Sequence, residues 1–194
     1  MTKQLFYAIE TTHPDPKLSA IWQMGGVFVI GGQPVESFSW RVRPLPGSIV
    51  DRNVLLAAGL SPDDLLAGED PGTVCGRLCG LIRKYAGGGG DDLLILCNYD
   101  GGHGDNLVMA RFFVRNGHTD FDTWFWKYDI DVRQLAAAYL LDECQRLGGF
   151  GLRAVADRLG IHPDPSRAHD SLYNAWLIYE VYRKVAIQPT EQTK

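Results

Sequence analysis

The stretch from Leu5 to Thr12 most constrains what this chain can fold into. Aromatic and aliphatic residues occupy its first half, which is typical of a buried β-strand, and the carboxylate of Glu10 follows near its end. Loops at the ends of central strands bring together groups from distant parts of a chain, so binding sites form there. The stretch therefore predicts a central strand that delivers Glu10 to a site, although a strand whose last residue simply reaches solvent would have the same pattern.

The rest of the chain alternates between strand and helix patterns. Residues 20–30 and 35–42 predict two further strands in an antiparallel meander with the first, and Gly31-Gly32-Gln33-Pro34 supplies the turn between them. The short apolar run 93–97 predicts a strand that is covered on both faces. The other predicted elements are a helix after Ser61, a helix from Pro71 to Tyr85, a helix opened by Asp105, a fifth strand over 128–130, a helix capped by Asp131, a short helix over 152–159 and a C-terminal helix.

Length and composition favour one soluble domain. A chain of 194 residues with 45% apolar content can bury one sizeable core. We expect a single domain over residues 1–186 and a polar tail over 187–194. No run of about 18 apolar residues predicts a membrane span, and the N-terminus leads into a strand instead of a secretory leader.

The four cysteines contain no Cys-x-x-Cys pair. Cys75 and Cys79 are four residues apart, which places them on one face of the predicted helix as small packing residues. Together with Cys97 and Cys144 they fit a reducing cytoplasm.

The net charge of −4 does not suit a protein that coats nucleic acid by electrostatics alone. It is compatible with a nuclease that holds a strand end in a cleft, because bound metal ions supply positive charge there. Four aromatic residues between Thr119 and Trp126 predict either base stacking or core packing.

Polar residues follow two other predicted elements. Asn98 and Asp105 flank a glycine-rich loop, where Asp105 either contributes to a site or caps the next helix. His169 and Asp170 precede the C-terminal helix, where they are either site residues or an ordinary surface pair.

Three stretches, in order, resemble the motifs of the DEDDh family of 3'-5' exonucleases, and ribonuclease T-like members in particular. Glu10-Thr11-Thr12 matches the end of the first motif, with Ala8 at its leading aspartate position. Asn98 and Asp105 match the second motif, with Asp100 as a rival for the aspartate. His169 matches the histidine of the third motif, and Asn174 stands where that motif has an aspartate.

This resemblance implies a ribonuclease H-like α/β fold, a five-stranded mixed sheet flanked by helices. It also implies a two-metal phosphodiesterase that uses Mg²⁺ or Mn²⁺ and removes nucleotides from the 3' ends of single-stranded DNA or RNA. Glu10 and Asp105 would bind metal, and His169 would act as general base. Thr11, Thr12 and Asn98 would contact the terminal nucleotide, and two copies could pair as a homodimer.

Two of the four family carboxylates are missing, because Ala8 offers no ligand and the amide of Asn174 carries no charge. We therefore expect this chain to be inactive or attenuated, unless Asp100 or Asp170 supplies the missing charge. Either deliberate inactivation or natural loss would leave this sequence. The alternative function is a non-catalytic module that binds nucleic acid or protein on the same fold.

Overall fold

The computed structural model describes residues 1–87, 92–99, 104–119, 123–142 and 149–186, and its centre is a five-stranded mixed sheet. The strands are β1 (Lys3–Thr11), β2 (Ile21–Ile30), β3 (Gln33–Arg41), β4 (Ile95–Asn98) and β5 (Ile130–Asp131). The helices are α1 (Arg52–Ala58), α2 (Pro62–Leu66), α3 (Pro71–Tyr85), α4 (Asp105–Arg115), α5 (Val132–Tyr139), α6 (Leu152–Arg158) and α7 (Ser171–Val185). The sheet order is β3-β2-β1-β4-β5, so the expected five-stranded mixed sheet is confirmed.

Strand β1 lies at the middle of the sheet and both of its faces are covered. It pairs antiparallel with β2 and parallel with β4. Leu5, Tyr7 and Ile9 belong to one buried cluster, which also contains the apolar faces of α3 and α4. Phe6 and Ala8 face the opposite cluster, formed with α5, α6 and α7. The alternation of side chains along one strand thus produces two cores on either side of the sheet.

The turn between β2 and β3 is tighter than the sequence suggested. Gly31 and Gly32 have φ angles of 58° and 79°, in the left-handed region that glycine adopts at little cost. Two such residues in succession match the turns that fit the twist of a two-residue hairpin. Strand β3 therefore begins at Gln33, two residues earlier than expected, and Pro34 lies inside it.

Capping side chains fix most of the helix starts. Ser61 forms a reciprocal capping box at α2, and Asp131 accepts a hydrogen bond at α5, as the sequence predicted. The alternative role of Asp105 as a helix cap is wrong, because Gly104 occupies that position and α4 has no side-chain cap. The sequence analysis missed α1, which is only seven residues long. Asp51 caps its start by accepting from the Asn53 N–H.

Helix α7 approaches the sheet closely where β2 carries a glycine. A Cβ atom at Gly25 would lie 2.3 Å from the backbone N of Leu172 and 2.5 Å from its Cα. Two residues away on β2, the side chain of Gln23 accepts a hydrogen bond from the Ser171 N–H at 3.1 Å. The first turn of α7 is therefore seated on the sheet at a defined place.

The aromatic segment after α4 mostly packs into the core. Trp124 and Phe125 are buried, whereas Trp126 is 47% exposed and contacts Tyr128 edge-on. Phe121 lies outside the described residues, as do Asp100, Cys144 and the expected tail over 187–194. None of the helices in the described ranges is long and apolar enough to cross a membrane.

Candidate functional site

The carboxyl ends of three neighbouring strands meet at one edge of the sheet. Strands β1, β4 and β5 run parallel to one another, so their final residues share that edge. Glu10 lies near the end of β1, Asn98 ends β4 and Asp131 ends β5. The sheet therefore presents polar groups where sites form in α/β proteins.

Glu10 is the centre of a hydrogen-bonded group that spans the length of the chain. Its Oε2 lies 3.0 Å from Nδ1 of His169, and its Oε1 accepts from the Asn174 side-chain amide at 3.3 Å. The same Asn174 amide donates to the backbone oxygen of Ala168 at 2.9 Å. Three of the residues that the sequence singled out are thus in direct contact.

Asp170 has structural partners of its own beside this group. Its carboxylate caps α7 by accepting from the Tyr173 N–H at 3.0 Å, and it pairs with the guanidinium of Arg167. Burial alone would raise the pKa of Asp170, but the Tyr173 hydrogen bond and Arg167 outweigh it and lower the pKa. These contacts assign Asp170 to the start of α7.

A polar network that reaches from the buried Tyr7 and Asn98 to the surface holds the first turn of α4 against β1. Asn106 accepts from the hydroxyl of Tyr7, and it also accepts from the Asn98 amide at 2.8 Å. Its own amide donates to Asp129 at 2.6 Å. Burial, and secondarily the charge of Asp105, raises the pKa of Tyr7, so the phenol stays protonated as a donor. Sequence reasoning missed Tyr7 and Asn106, because nothing in the sequence shows that they meet.

The predicted substrate contacts differ in exposure. Thr11 is half-buried and lines a cleft of about 360 Å³ together with Asp105 and His13. Thr12 is fully buried, and its hydroxyl donates to Ile49 O at 2.7 Å and accepts from the Ala20 N–H at 3.0 Å. Asn98 is also fully buried, beneath α4. Only Thr11 among the three presents its side chain to a cleft.

His169 lines a second cleft. This cleft measures about 590 Å³ and lies between the loop before α7 and the C-terminal end of α1. Its wall includes Gln23, Leu56, Gly59 and Arg167. Glu10 lines neither cleft, but its neighbour in β1, Thr11, lines the cleft of Asp105, and its partner His169 lines this second one.

Three arginines lie next to the first cleft. Arg43, Arg111 and Arg115 line a small cavity that shares Ser19 and Val108 with the cleft of Asp105. Arg111 is held in place by donating to the backbone oxygen of Pro16 at 2.6 Å. These three residues, the arginine strip, lie beside the cleft of Asp105, and Arg43 among them also pairs with Asp70 at 3.8 Å.

Burial sets the protonation of Glu10. Its side chain is only 18% exposed, and this burial raises its pKa, although the hydrogen bonds from His169 and Asn174 act in the opposite direction. A carboxyl group with a raised pKa in the folded protein stabilises the fold at low pH. That contribution is lost as the pH rises from the ordinary range of glutamate through the raised pKa.

We expect Glu10→Gln to stabilise the protein relative to the unmodified chain, by an amount that grows as the pH rises through this window. The neutral amide avoids the cost of a buried charge. Urea unfolding of both proteins, at pH values from the ordinary pKa range of glutamate up to neutral pH, measures the difference in their free energies of unfolding. Glu36→Gln is the control with the opposite sign, because hydrogen bonds from Lys84 and Tyr85 lower the pKa of Glu36. If the stability gained by Glu10→Gln shrinks as the pH rises, the conclusion that burial raises the pKa of Glu10 is contradicted.

Comparisons with known proteins establish the fold. No protein-family model matches the chain, and no curated protein matches it. Among solved structures, exonuclease I is similar with a TM-score of 0.76 at 20% identity, over 97% of this chain and 42% of the other. Exonuclease I of E. coli in complex with a dT13 oligonucleotide has a TM-score of 0.75 at 20% identity, over 96% and 41% of the two chains.

The zinc-bound complex of E. coli exonuclease I with single-stranded DNA has a TM-score of 0.74 at 19% identity, over 96% of this chain and 40% of the other. The ribonuclease H-like fold expected from the sequence is therefore confirmed. The chain spans about two fifths of the length of the exonuclease chains that it matches.

Proposed function

We propose that this chain is a 3'-5' exonuclease-type domain of the DEDDh kind that binds the 3' end of single-stranded DNA and hydrolyses it weakly or not at all. The observation that carries the proposal is the contact of Glu10 with both His169 and Asn174 at the carboxyl edge of the sheet. The contact joins residues that resemble the first and third motifs, and this supports the proposal. The exonuclease fold and the cleft of Asp105 beside the group support the same function.

The residues present do not fit a pair of Mg²⁺ or Mn²⁺ ions. Such ions prefer oxygen ligands, and two dications need several carboxylates to balance their charge. Ala8 offers no ligand atom. The Asn174 amide nitrogen is directed at Glu10 and at the Ala168 carbonyl, so it satisfies the carboxylate that a metal ion would otherwise bind. Glu10 and Asp105 remain as the charged ligands that the motifs assign.

His169 has the partner that a general base needs. When Glu10 is ionised, the hydrogen bond at Nδ1 fixes the ring as the tautomer protonated on that nitrogen. The other nitrogen, Nε2, is then the basic one and can accept a proton from a water molecule. Glu10 thereby orients the histidine, and Thr11 lies next to it in the wall of the neighbouring cleft.

Single-stranded DNA is the substrate that we propose in preference to RNA. Several of the similar exonuclease I structures hold DNA oligonucleotides, such as dT13 and dA16. In this proposal the buried Asn98 acts through Asn106 to position the first turn of α4, and Thr12 holds the loop beside β1. The homodimer and the cytoplasmic location expected from the sequence stay predictions.

The arginine strip formed by Arg43, Arg111 and Arg115 is the surface that we expect to contact the DNA backbone. We expect Arg115→Ala to weaken binding of single-stranded DNA at low salt and to reduce the salt slope of log K by about 0.7, the value for one phosphate contact. Fluorescence anisotropy with a labelled oligonucleotide over a salt series measures both effects. Arg183→Ala, near the C-terminal end of α7, is the control and should leave the slope unchanged.

The alternative is a module that binds DNA ends and has no hydrolytic role. The Asn174 amide favours it, because this side chain carries no charge and its two hydrogen bonds go to Glu10 and to the Ala168 carbonyl. Magnesium dependence separates the two functions. A binding module should hold the oligonucleotide equally well with and without magnesium and should never shorten it.

The test is a time course of 3'-labelled and 5'-labelled single-stranded DNA and RNA with Mg²⁺ or Mn²⁺. The unmodified chain is run beside the double variant Ala8→Asp, Asn174→Asp. Trimming from the 3' end by the double variant alone supports a disabled exonuclease. Equal trimming by the unmodified chain would overturn the assignment of Ala8 and Asn174 as the lost ligands. No trimming by either protein would leave the binding module.

A further inference from the structure

Three side chains that the proposed exonuclease site does not use meet at the opposite end of α4 from Asp105. Cys75 and Cys79 lie one turn apart on the buried face of α3, and His118 follows the end of α4. The two sulfur atoms and one ring nitrogen of His118 all lie within 4.8 Å of one another. Both cysteines are almost fully buried, whereas His118 is half-buried.

The backbone holds His118 in place before any ligand binds. Gly117 has a φ of 85°, which ends α4 in the left-handed conformation. The N–H of Gly117 donates to Val114 O at 3.1 Å, and the N–H of His118 donates to Phe113 O at 3.0 Å. The ring of His118 contacts Phe113 and Trp124, with centroids 6.3 and 6.2 Å away. Within the part of the chain that the structure describes, neither ring nitrogen has a hydrogen-bond partner.

Two thiols and an imidazole form the ligand set of a soft or borderline cation. Thiolate and imidazole together suit Zn²⁺, which prefers four ligands at the corners of a tetrahedron. With Zn–S bonds of about 2.3 Å and Zn–N bonds of about 2.0 Å, the ligand atoms would be about 3.5 to 3.8 Å apart. Side-chain rotations that draw the three atoms together by about 1 Å would close the site.

We propose that Cys75, Cys79 and His118 bind one Zn²⁺ ion, with water from the exposed side of His118 as the fourth ligand. Each thiol loses its proton to solvent when the metal binds, so two protons are released per ion. Zn²⁺, two thiolates and a neutral imidazole carry no net charge, which makes the assembly acceptable in an apolar core. The inference is independent of the proposed exonuclease function.

The protonation of the thiols makes zinc binding dependent on pH. Both thiols lie in the apolar core, and a cysteine binds zinc as the thiolate. The cation must therefore displace a proton from each thiol. Affinity should rise as the pH rises, because fewer bound protons then compete with the metal.

The expected consequence of binding is a cross-link between α3 and the end of α4. Both helices pack on the same face of β1, and the metal would tie them together at the end remote from Glu10. A ligand that binds only the folded state raises the melting temperature, and at a hundredfold excess over Kd we expect a rise of roughly 5 to 10 °C for a chain of this size.

Titration with Co²⁺ tests the site, because cobalt takes the place of zinc and reports its ligands by absorption. The full chain, purified with reductant and stripped of metal, should develop sulfur-to-cobalt charge-transfer bands in the near ultraviolet, saturating at one ion per chain and bleached by Zn²⁺. Oxygen ligands such as Glu10 and Asp105 cannot produce these bands. Release of two protons per ion, measured in weakly buffered solution, is an independent readout.

His118→Gln should weaken Co²⁺ affinity at least about tenfold, since it removes one of three protein ligands. It alters a half-buried side chain at the surface, so the variant should fold. The double variant Cys75→Ala, Cys79→Ala should abolish the bands because it removes both sulfur ligands, whereas Cys97→Ala, a buried cysteine of β4, should leave them intact. Absence of the bands in the unmodified chain, or their loss in Cys97→Ala alone, would overturn the proposal.

Discussion

We expect the double variant Ala8→Asp, Asn174→Asp to trim single-stranded DNA from the 3' end. This activity should depend on magnesium or manganese. Loss of a direct metal ligand should cost more than the roughly 10- to 100-fold effect of changing an outer partner. Two restored ligands should therefore raise the rate by about a thousandfold or more over the unmodified chain. The time course with end-labelled DNA measures the increase.

The geometry explains why these two positions act together. Ala8 and Glu10 lie two residues apart on β1, so their side chains point to the same face of the sheet. Asn174 approaches Glu10 from α7 at 3.3 Å. Carboxylates at both positions would flank Glu10 and create the concentration of negative charge that a dication requires. Ala8→Asp alone and Asn174→Asp alone should each raise the logarithm of the rate by much less than half as much as the double variant does, because the ligands act as a unit.

Stability gives a second readout of the same variant. Without a divalent cation, two added carboxylates beside Glu10 should lower the free energy of unfolding by about 1 to 3 kcal/mol at neutral pH, since like charges would be partly buried together. Magnesium should reverse that loss. Ala138→Asp combined with Asn53→Asp makes the same two exchanges at exposed helix positions and should show neither effect. Unchanged stability together with absent activity would place Ala8 and Asn174 outside the metal site.

Gly25→Ala is expected to destabilise the protein by about 3 kcal/mol or more. The added Cβ would lie 2.3 Å from the Leu172 N and 2.7 Å from the Ser171 C, all backbone atoms that no rotamer change can move aside. The first turn of α7 must shift or detach, and overpacking against backbone exceeds the usual cost of an added methyl group. Denaturant unfolding measures the loss.

The matched control is the same exchange at Gly76 on α3. A Cβ there meets nothing within 4 Å, and alanine favours a helix by about 1 kcal/mol over glycine. Gly76→Ala should therefore stabilise the protein. Gly25→Ala should also weaken the binding of DNA ends that we propose, because α7 carries Asn174 and follows His169. A neutral Gly25→Ala variant would show that α7 is not held against β2 as the structure indicates.

Local patterns predicted most of the elements because each has a local cause. The apolar face of α3, the proline at its start and the Ser61 cap are features of neighbouring residues. The start of β3 was predicted two residues too late, at Val35 instead of Gln33. The length of a hairpin turn depends on which pairing satisfies both strands, and local sequence does not show this. Helix α1 escaped prediction because seven residues give too few turns for a clear period.

The site was predictable only where a family pattern named its residues. The motifs singled out Glu10, His169 and Asn174, but no pattern could show that the amide of Asn174 bonds Glu10. Likewise, the burial of Thr12 follows from its hydrogen bonds to Ile49 and Ala20, which depend on tertiary structure. Cys75 and Cys79 pack in the core as predicted, but the sequence could not show that His118, which follows another helix, lies beside them.

The contact between Glu10 and His169 joins residues that are 159 positions apart. A ribosome therefore makes the carboxylate early and its partners only after nearly all of the described chain has emerged. Strands β1, β2 and β3 can pair beforehand, but the edge of the sheet stays incomplete until α7 docks at Gly25. A fragment that stops before α7 consequently keeps Glu10 but lacks the Asn174 side chain that donates a hydrogen bond to it.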